Sequence, residues 1–167
     1  LADTGANIAA LTATQIGDLA AAGIDAIDAS DNTLALSVAQ YNALGAVTLT
    51  AGDTVTLSDT GANIAVLTAV QIGDLAGNNI DKIDTTDNTL TLTAAQAGAL
   101  GTVTVATGDT FTLADTGANI AALTATQIGD LATSHLDVID ATDNTLALSV
   151  AQYQALGTIA LTASDTV

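Results

Sequence analysis

The chain contains no cysteine, one histidine and one basic residue, and each shortage excludes a class of function. Without cysteine there can be no disulfide framework, no thiol nucleophile and no cysteine metal centre. A lone histidine cannot form a histidine-based metal site. It also cannot serve as the base that activates a cysteine nucleophile, because the chain has no cysteine. We therefore expect that the protein is not an enzyme.

Positive charge is almost missing from the chain. Lys82 is the only basic residue against 18 aspartates, and the formal net charge at pH 7 is −17. Such a surface repels phosphate groups, so nucleic acid and anionic membrane surfaces are excluded as partners, whereas metal cations are favoured. No apolar run approaches the roughly 18 residues that a membrane span requires, so we expect no membrane insertion.

Glutamate, methionine and tryptophan are absent, and aromatic residues make up only 2% of the chain. Every acid is therefore an aspartate, the short acid of turns and calcium sites, whereas helix surfaces usually carry glutamate. Apolar residues make up 49%, so a core of Ala, Val, Ile and Leu is expected. This composition is typical of a turn-rich secreted repeat.

The sequence repeats every 56 residues. The segment LADTGANIAALT at Leu1 returns with few changes in two further copies. A fixed period of this size predicts a stacked array in which each unit buries its apolar side against its neighbours. Neither end has a polar capping repeat, so we expect a window of a longer array or a unit that continues by head-to-tail contact. The single predicted domain, 1–167, contains repeats 1–56, 57–112 and 113–167.

Each repeat contains two helix-start signals. A Ser or Thr is followed three residues later by Gln, which is the capping box. Its hydroxyl accepts from an early helix N–H, and its Gln side chain bonds back. Six such boxes in register predict six helix starts: Thr12/Gln15, Ser37/Gln40, Thr68/Gln71, Thr93/Gln96, Thr124/Gln127 and Ser149/Gln152.

Two helices are predicted in the first repeat, from Ala13 to about Ala22 and from Val38 to Leu44. The first helix ends at Gly23, where the other repeats have Asn79 and His135. These residue types tolerate a left-handed backbone best, so a helix C-terminal turn is predicted there. The second helix ends at a glycine in every repeat, namely Gly45, Gly101 and Gly157.

Short extended runs follow each helix. Residues 24–29 and 47–51 alternate in the manner of strands, and each leads through a turn into a second strand, at 33–36 or 54–57. The insertion 59–64 precedes the next capping box and predicts an Asx-type turn with one helical turn.

The run IDAIDASDNTL at residues 24–34 matches the spacing L-x-x-L-x-L-x-x-N-x-L and so resembles a leucine-rich repeat. The half that begins at Val47 departs from the pattern, because its turn residue is Asp53 and its spacing is one residue short. The resemblance implies a right-handed α/β solenoid of about six coils, with a parallel sheet on one face and short helices on the other. An all-β solenoid is the alternative, but it leaves the six capping boxes unexplained.

The richness in Asp, Thr, Ala and Gly, without cysteine, also resembles repeats in very large secreted bacterial surface proteins. These are of the repeats-in-toxin-associated and adhesin type, and the resemblance implies an extracellular location at the cell surface. The calcium nonapeptide G-G-x-G-x-D of those proteins is absent, so their calcium sites cannot be transferred to this chain.

The aspartates form six ladders with one member in each repeat. Four ladders fall in predicted turns or on a helix surface, where ordinary structural roles suffice. The other two lie inside the predicted first strand, where Asp is usually depleted, and their side chains are expected to point outward. A divalent cation would relieve their mutual repulsion, so weak calcium binding is one hypothesis and a solvated acidic face is the other. These two strand ladders are Asp25, Asp81, Asp137 and Asp28, Asp84, Asp140.

These features favour a structural module of a secreted fibre, adhesin stalk or surface layer that assembles end to end with other copies of itself. No cofactor is expected apart from the candidate calcium. The alternative is an acidic binding solenoid for calcium, a glycan or ice. Thr-x-Thr pairs such as Thr48/Thr50 are compatible with ice binding, but the strand propensity of threonine explains them more simply.

Overall fold

The computed structural model describes residues 1–167 and is an α/β structure with parallel sheets and short helices, as predicted. The strands are β1 (Ala2–Asp3), β2 (Ala26–Ala29), β3 (Thr33–Leu36), β4 (Thr48–Leu49), β5 (Thr54–Asp59), β6 (Lys82–Thr85), β7 (Thr89–Leu92), β8 (Thr104–Val105), β9 (Thr110–Asp115), β10 (Val138–Ala141) and β11 (Ala160–Leu161). The helices are α1 (Gly5–Ala9), α2 (Ala13–Asp18), α3 (Val38–Ala43), α4 (Gly61–Ala65), α5 (Ala69–Asp74), α6 (Ala94–Ala97), α7 (Gly117–Ala121), α8 (Ala125–Thr133) and α9 (Val150–Ala155), with a 3-10 turn at Ala76–Asn78. No helix has the length and apolar character that crossing a bilayer needs.

All six predicted capping boxes are formed. At the start of α2, the Gln15 N–H donates to Thr12 Oγ1 over 3.2 Å and the Thr12 N–H donates to Gln15 Oε1 over 2.8 Å. The six helix starts are therefore confirmed. The first helix is shorter than predicted, because α2 ends at Asp18 rather than near Ala22.

The predicted left-handed positions are confirmed as well. Gly23, Asn79 and His135 have φ angles of 79°, 59° and 66°. The side chains at two of these positions also contact a neighbouring strand. Asn79 Nδ2 donates to the Leu49 carbonyl over 2.7 Å, and His135 Nδ1 lies 2.7 Å from the Val105 carbonyl.

The insertion that precedes α2, α5 or α8 in each repeat is an Asx turn followed by one helical turn, as predicted. Asp59 Oδ1 accepts from the Thr60 N–H over 2.8 Å and from Asn63 Nδ2 over 2.7 Å. The Thr60 hydroxyl then accepts from the Asn63 N–H at the start of α4. The same arrangement starts α1 and α7.

Every strand pair is parallel, and the strands form three sheets with the orders β1–β2–β4, β3–β5–β6–β8 and β7–β9–β10–β11. Residues 54–57 of β5 pair with β3, whereas its residues 56–59 pair with β6. Thr56 and Leu57 therefore pair with strands on both sides, whereas the first two residues of β5 pair only with β3 and the last two only with β6.

The separation into three sheets differs from the single continuous sheet that the leucine-rich-repeat pattern implies. Helices α1 and α4 lie against the free edges of β3 and β7. The first residue of each helix, Gly5 or Gly61, packs directly on the carbonyl group of Thr33 or Thr89. The N–H groups of Gly5 and Gly61 bond the carboxylates of Asp31 and Asp87 rather than a strand carbonyl, and the sheets end at β3 and β7.

The core is one cluster of 38 buried side chains that extends through all three repeats. In β3 the buried Leu34 and Leu36 alternate with the exposed Thr33 and Ala35, which is the period of two expected for a strand with one buried face. Burying each such leucine stabilises the fold by about 1.5–3 kcal/mol. The only phenylalanine, Phe111, is also fully buried.

Candidate functional site

The first strand ladder, Asp25, Asp81 and Asp137, lies one residue before its strands, which begin at Ala26, Lys82 and Val138. The prediction that these aspartates lie inside the strand was therefore wrong. Asp81 Oδ2 accepts from the Val55 N–H over 2.8 Å. Asp137 makes the equivalent 2.8 Å bond to the N–H of Phe111. The carboxylate thus joins its strand to the strand before it, although the side chain is exposed.

The second strand ladder, Asp28, Asp84 and Asp140, does lie within strands, and its side chains are half-buried. Asp140 Oδ1 lies 2.9 Å from the Thr162 hydroxyl, which also lies 2.8 Å from Asp165 Oδ2. A hydroxyl has one hydrogen to donate, so the two carboxylates compete for it.

The ladders assigned to ordinary turns bond backbone groups far along the chain. Asp31, Asp87 and Asp143 each accept an N–H from the first residue of a short helix over 2.9 Å. The ladder that contains Asp53 accepts similarly, and Asp53 Oδ2 lies 2.9 Å from the Ala29 N–H. Asp53 is only 7% exposed, and its other oxygen, Oδ1, is buried without a hydrogen-bond partner.

Ten of the 18 aspartates bond a backbone N–H that lies 21 to 26 residues away. This role was not predicted from the sequence. All 18 aspartates recur in all three repeats, whereas many exposed positions vary, and this constancy within the chain was the available signal. The ten are Asp31, Asp53, Asp59, Asp81, Asp87, Asp109, Asp115, Asp137, Asp143 and Asp165.

Three aspartates have lowered pKa values. Burial acts to raise the pKa of Asp59, but hydrogen bonds from the Asn63 side chain and from two backbone N–H groups outweigh it and hold the pKa below its usual value. The pKa of Asp115 is lowered by the same balance. For Asp3, the side-chain bond from Asn7 is the main cause of the lowered pKa. These carboxylates act as ionised acceptors.

In each of the three repeats, one glutamine ties two helical segments together. Gln40 belongs to the capping box of α3, and its Nε2 also donates to the carbonyls of Ala9 and Leu11 over 2.9 and 2.6 Å. Gln96 and Gln152 make the equivalent pairs of bonds. The side-chain amides of these glutamines are therefore also committed to hydrogen bonds with the backbone of a neighbouring segment.

A groove of about 320 Å³ lies between the end of α3 and the end of α5. It is lined by Tyr41, Gln71, Asp74 and Asn78 among others, and the Tyr41 hydroxyl accepts from Asn78 Nδ2 over 2.8 Å. The groove presents hydrogen-bonding groups but no paired nucleophile and base.

No group of three or more acidic or histidine side chains converges closely enough to hold a metal ion. Calcium takes six to eight oxygen ligands, so carboxylates of the strand ladders would need additional donors such as water or carbonyl groups. Calcium at these ladders stays a prediction.

No protein-family model, curated protein or solved structure matches this chain.

Proposed function

We propose that this chain is a structural repeat module. In this proposal it is a right-handed, leucine-rich-repeat-like solenoid of about six coils within a secreted extracellular fibre, adhesin stalk or surface layer. Its role is to span distance, present an acidic face and continue end to end through further copies. The proposal extends the resemblance to bacterial adhesin-type repeats.

The observation that carries the proposal is the use of the recurring polar side chains. Ten aspartates and three glutamines bond backbone groups of neighbouring segments, and they do so at equivalent positions in successive repeats. Side chains committed to such bonds hold the array together and are not free to act on a substrate. A unit whose internal bonds recur with the sequence period is suited to indefinite extension.

Electron microscopy of negatively stained protein tests the proposal. We expect rods of constant width whose length increases with protein concentration, because each repeat adds length along one axis. Small-angle X-ray scattering at the lowest concentration should give an elongated particle. A compact globule at every concentration would contradict the structural role.

Calcium binding is the second candidate function. It is favoured by the buried, unpartnered Oδ1 atoms of Asp53 and Asp165 and by the approach of Asp140 and Asp165 to one hydroxyl. Binding predicts heat in a calorimetric calcium titration and a melting temperature that a chelator lowers. Asp140→Ala should reduce both signals, whereas Asp18→Ala, which removes an exposed carboxylate, should not. A titration without heat would exclude this candidate.

A further inference from the structure

The groove of about 320 Å³ between the ends of α3 and α5 has a counterpart that is almost closed. The equivalent groove between α6 and α8 measures about 50 Å³. Both grooves lie at junctions between consecutive repeats, so the repeat pattern alone does not produce the wide one. Three residues of the wall differ between the two junctions, where Tyr41, Asn42 and Asn78 correspond to Ala97, Gly98 and Ser134.

The inner wall of the wide groove contains a backbone N–H without a hydrogen-bond partner. In β4 the Leu49 carbonyl accepts from Asn79 Nδ2 over 2.7 Å, but the Leu49 N–H on the same side of the strand has no acceptor. Its counterpart in β8, the Val105 N–H, donates to the Ser134 carbonyl over 3.2 Å. Leu49 is only 4% exposed. Because buried N–H groups are nearly always paired, this donor indicates a place for an acceptor that the chain does not supply.

Tyr41 explains why the two junctions differ. Its side chain is buried, and its hydroxyl accepts from Asn78 Nδ2 over 2.8 Å. Ala97 has no group that could make this bond, and at its junction the turn approaches β8 closely enough for the bond between Ser134 and Val105. The larger side chain and its bond to the turn are therefore expected to hold the turn away from β4.

The walls of the wide groove also carry polar side-chain groups that the chain leaves free. The exposed Asp74 carboxylate accepts no hydrogen bond, and Asn42 Nδ2 donates none. Asn42 Oδ1 lies 3.5 Å from Gln71 Nε2, which is long for a hydrogen bond. No lysine or arginine lines the groove. The groove therefore offers both donors and acceptors, together with negative but no positive charge.

We propose that this groove binds one unit of a neutral sugar. A sugar hydroxyl both donates and accepts, so one hydroxyl can accept from the Leu49 N–H while another donates to the Asp74 carboxylate. Leu44 and Val47 provide apolar wall for the C–H groups of the ring. Asp74 and the net charge of −17 disfavour an anionic ligand. The volume lies at the lower end of the range for small-molecule sites, which suits one sugar unit. This site is additional to the structural role and does not depend on it.

Nuclear magnetic resonance of the ¹⁵N-labelled 167-residue protein tests the site. Glucose, galactose, mannose and N-acetylglucosamine are titrated separately, with glycerol and ethanolamine as controls. We expect at least one of the sugars to shift the Leu49 amide resonance in a saturable manner. The Val105 amide should shift little, because its N–H is already bonded to Ser134.

A matched pair of variants assigns the binding to this groove. Asp74→Ala should weaken sugar binding by roughly tenfold, because it removes a charged hydrogen-bond acceptor. Asp130→Ala removes the equivalent exposed carboxylate from the narrow groove and should leave binding unchanged. Tyr41→Ala introduces the residue found at the narrow junction and should abolish binding.

Four results would overturn the site, and each would leave the structural function standing. If no sugar shifts the Leu49 amide, water alone satisfies this N–H. If glycerol shifts it as strongly as the sugars do, the groove does not recognise a sugar ring. If ethanolamine binds and the sugars do not, the groove is a site for a cation. If Asp74→Ala and Asp130→Ala weaken binding equally, the sugar binds elsewhere.

Discussion

Gly61→Ala is expected to destabilise the protein by about 3 kcal/mol or more, at the upper end of the cost of overpacking a core. Gly61 is the first residue of α4, and a Cβ built on it would overlap the carbonyl oxygen of Thr89 in β7. The atom in conflict is backbone, so it cannot rotate away. Relief would separate α4 from β7 and weaken the 2.9 Å bond from the Gly61 N–H to Asp87.

Gly77→Ala is the matched control, because a Cβ at Gly77 has no neighbouring atom within 4 Å. This change should leave stability unaltered or raise it by up to about 1 kcal/mol, since alanine restricts the unfolded chain. Chemical denaturation followed by far-ultraviolet circular dichroism measures both variants. Equal midpoints for the two variants would show that the contact between α4 and β7 is not as close as described.

Acidification is the second change with a large expected effect. The folded-state pKa values of Asp59 and Asp115 are lowered, so their stabilising contribution is fully present above the unfolded value near 3.9 and is lost as pH falls through the folded value. Other aspartates also bond backbone N–H groups, and protonation replaces charge-assisted hydrogen bonds with weaker neutral ones. We therefore expect the free energy of unfolding to decrease below about pH 4.

A second effect opposes this trend. Protonation of the aspartates also reduces the magnitude of the net charge of −17, and the weaker repulsion stabilises the folded protein. Denaturation measured in about 1 M salt, where the Debye length is about 3 Å, separates the two effects by screening the repulsion. Under these conditions the unfolding midpoint should fall steadily with pH. A midpoint that rises as the carboxylates are protonated would refute the role of the aspartate bonds.

A single variant tests how much of the stability lost at low pH depends on the hydrogen bond between Asn63 and Asp59. Asn63→Ala removes the 2.7 Å bond from Nδ2 to Asp59 Oδ1, so the pKa of Asp59 should rise toward its usual value. Loss of stability should then begin at a higher pH. Gln154→Ala removes an exposed amide that makes no side-chain hydrogen bond, and it should leave the pH profile unchanged.

Local features of the fold could be predicted from the sequence. The capping boxes, the left-handed residues at Gly23, Asn79 and His135, and the Asx turn at Asp59 depend on residues within five positions of each other. Such signals are complete in the sequence because both donor and acceptor lie in one short segment. The end of α2 was less predictable, because the end of this helix differs between repeats of similar sequence: α2 ends at Asp18, whereas α8 continues to Thr133.

The division of the sheets and the bonds of the aspartates could not be predicted. Both depend on which segments stack, and the N–H that Asp81 accepts belongs to Val55, 26 residues earlier. The repeat period gives the spacing of equivalent residues but not the register between neighbouring strands. A glycine at the start of each inserted helix, such as Gly61, was the one local sign that a helix would pack on a strand edge.

Side-chain hydrogen bonds between separate segments span 21 to 37 residues, as the Asp59–Val38 and Asn78–Tyr41 bonds do. The loop that each such contact closes is therefore short and of similar length throughout the chain. The entropy lost in closing a loop depends on the length of the loop, so the cost is similar in every repeat. Folding can therefore nucleate in any repeat and spread to its neighbours. Lengthening the array would add contacts without lengthening any loop that folding has to close, and long arrays should fold as readily as short ones.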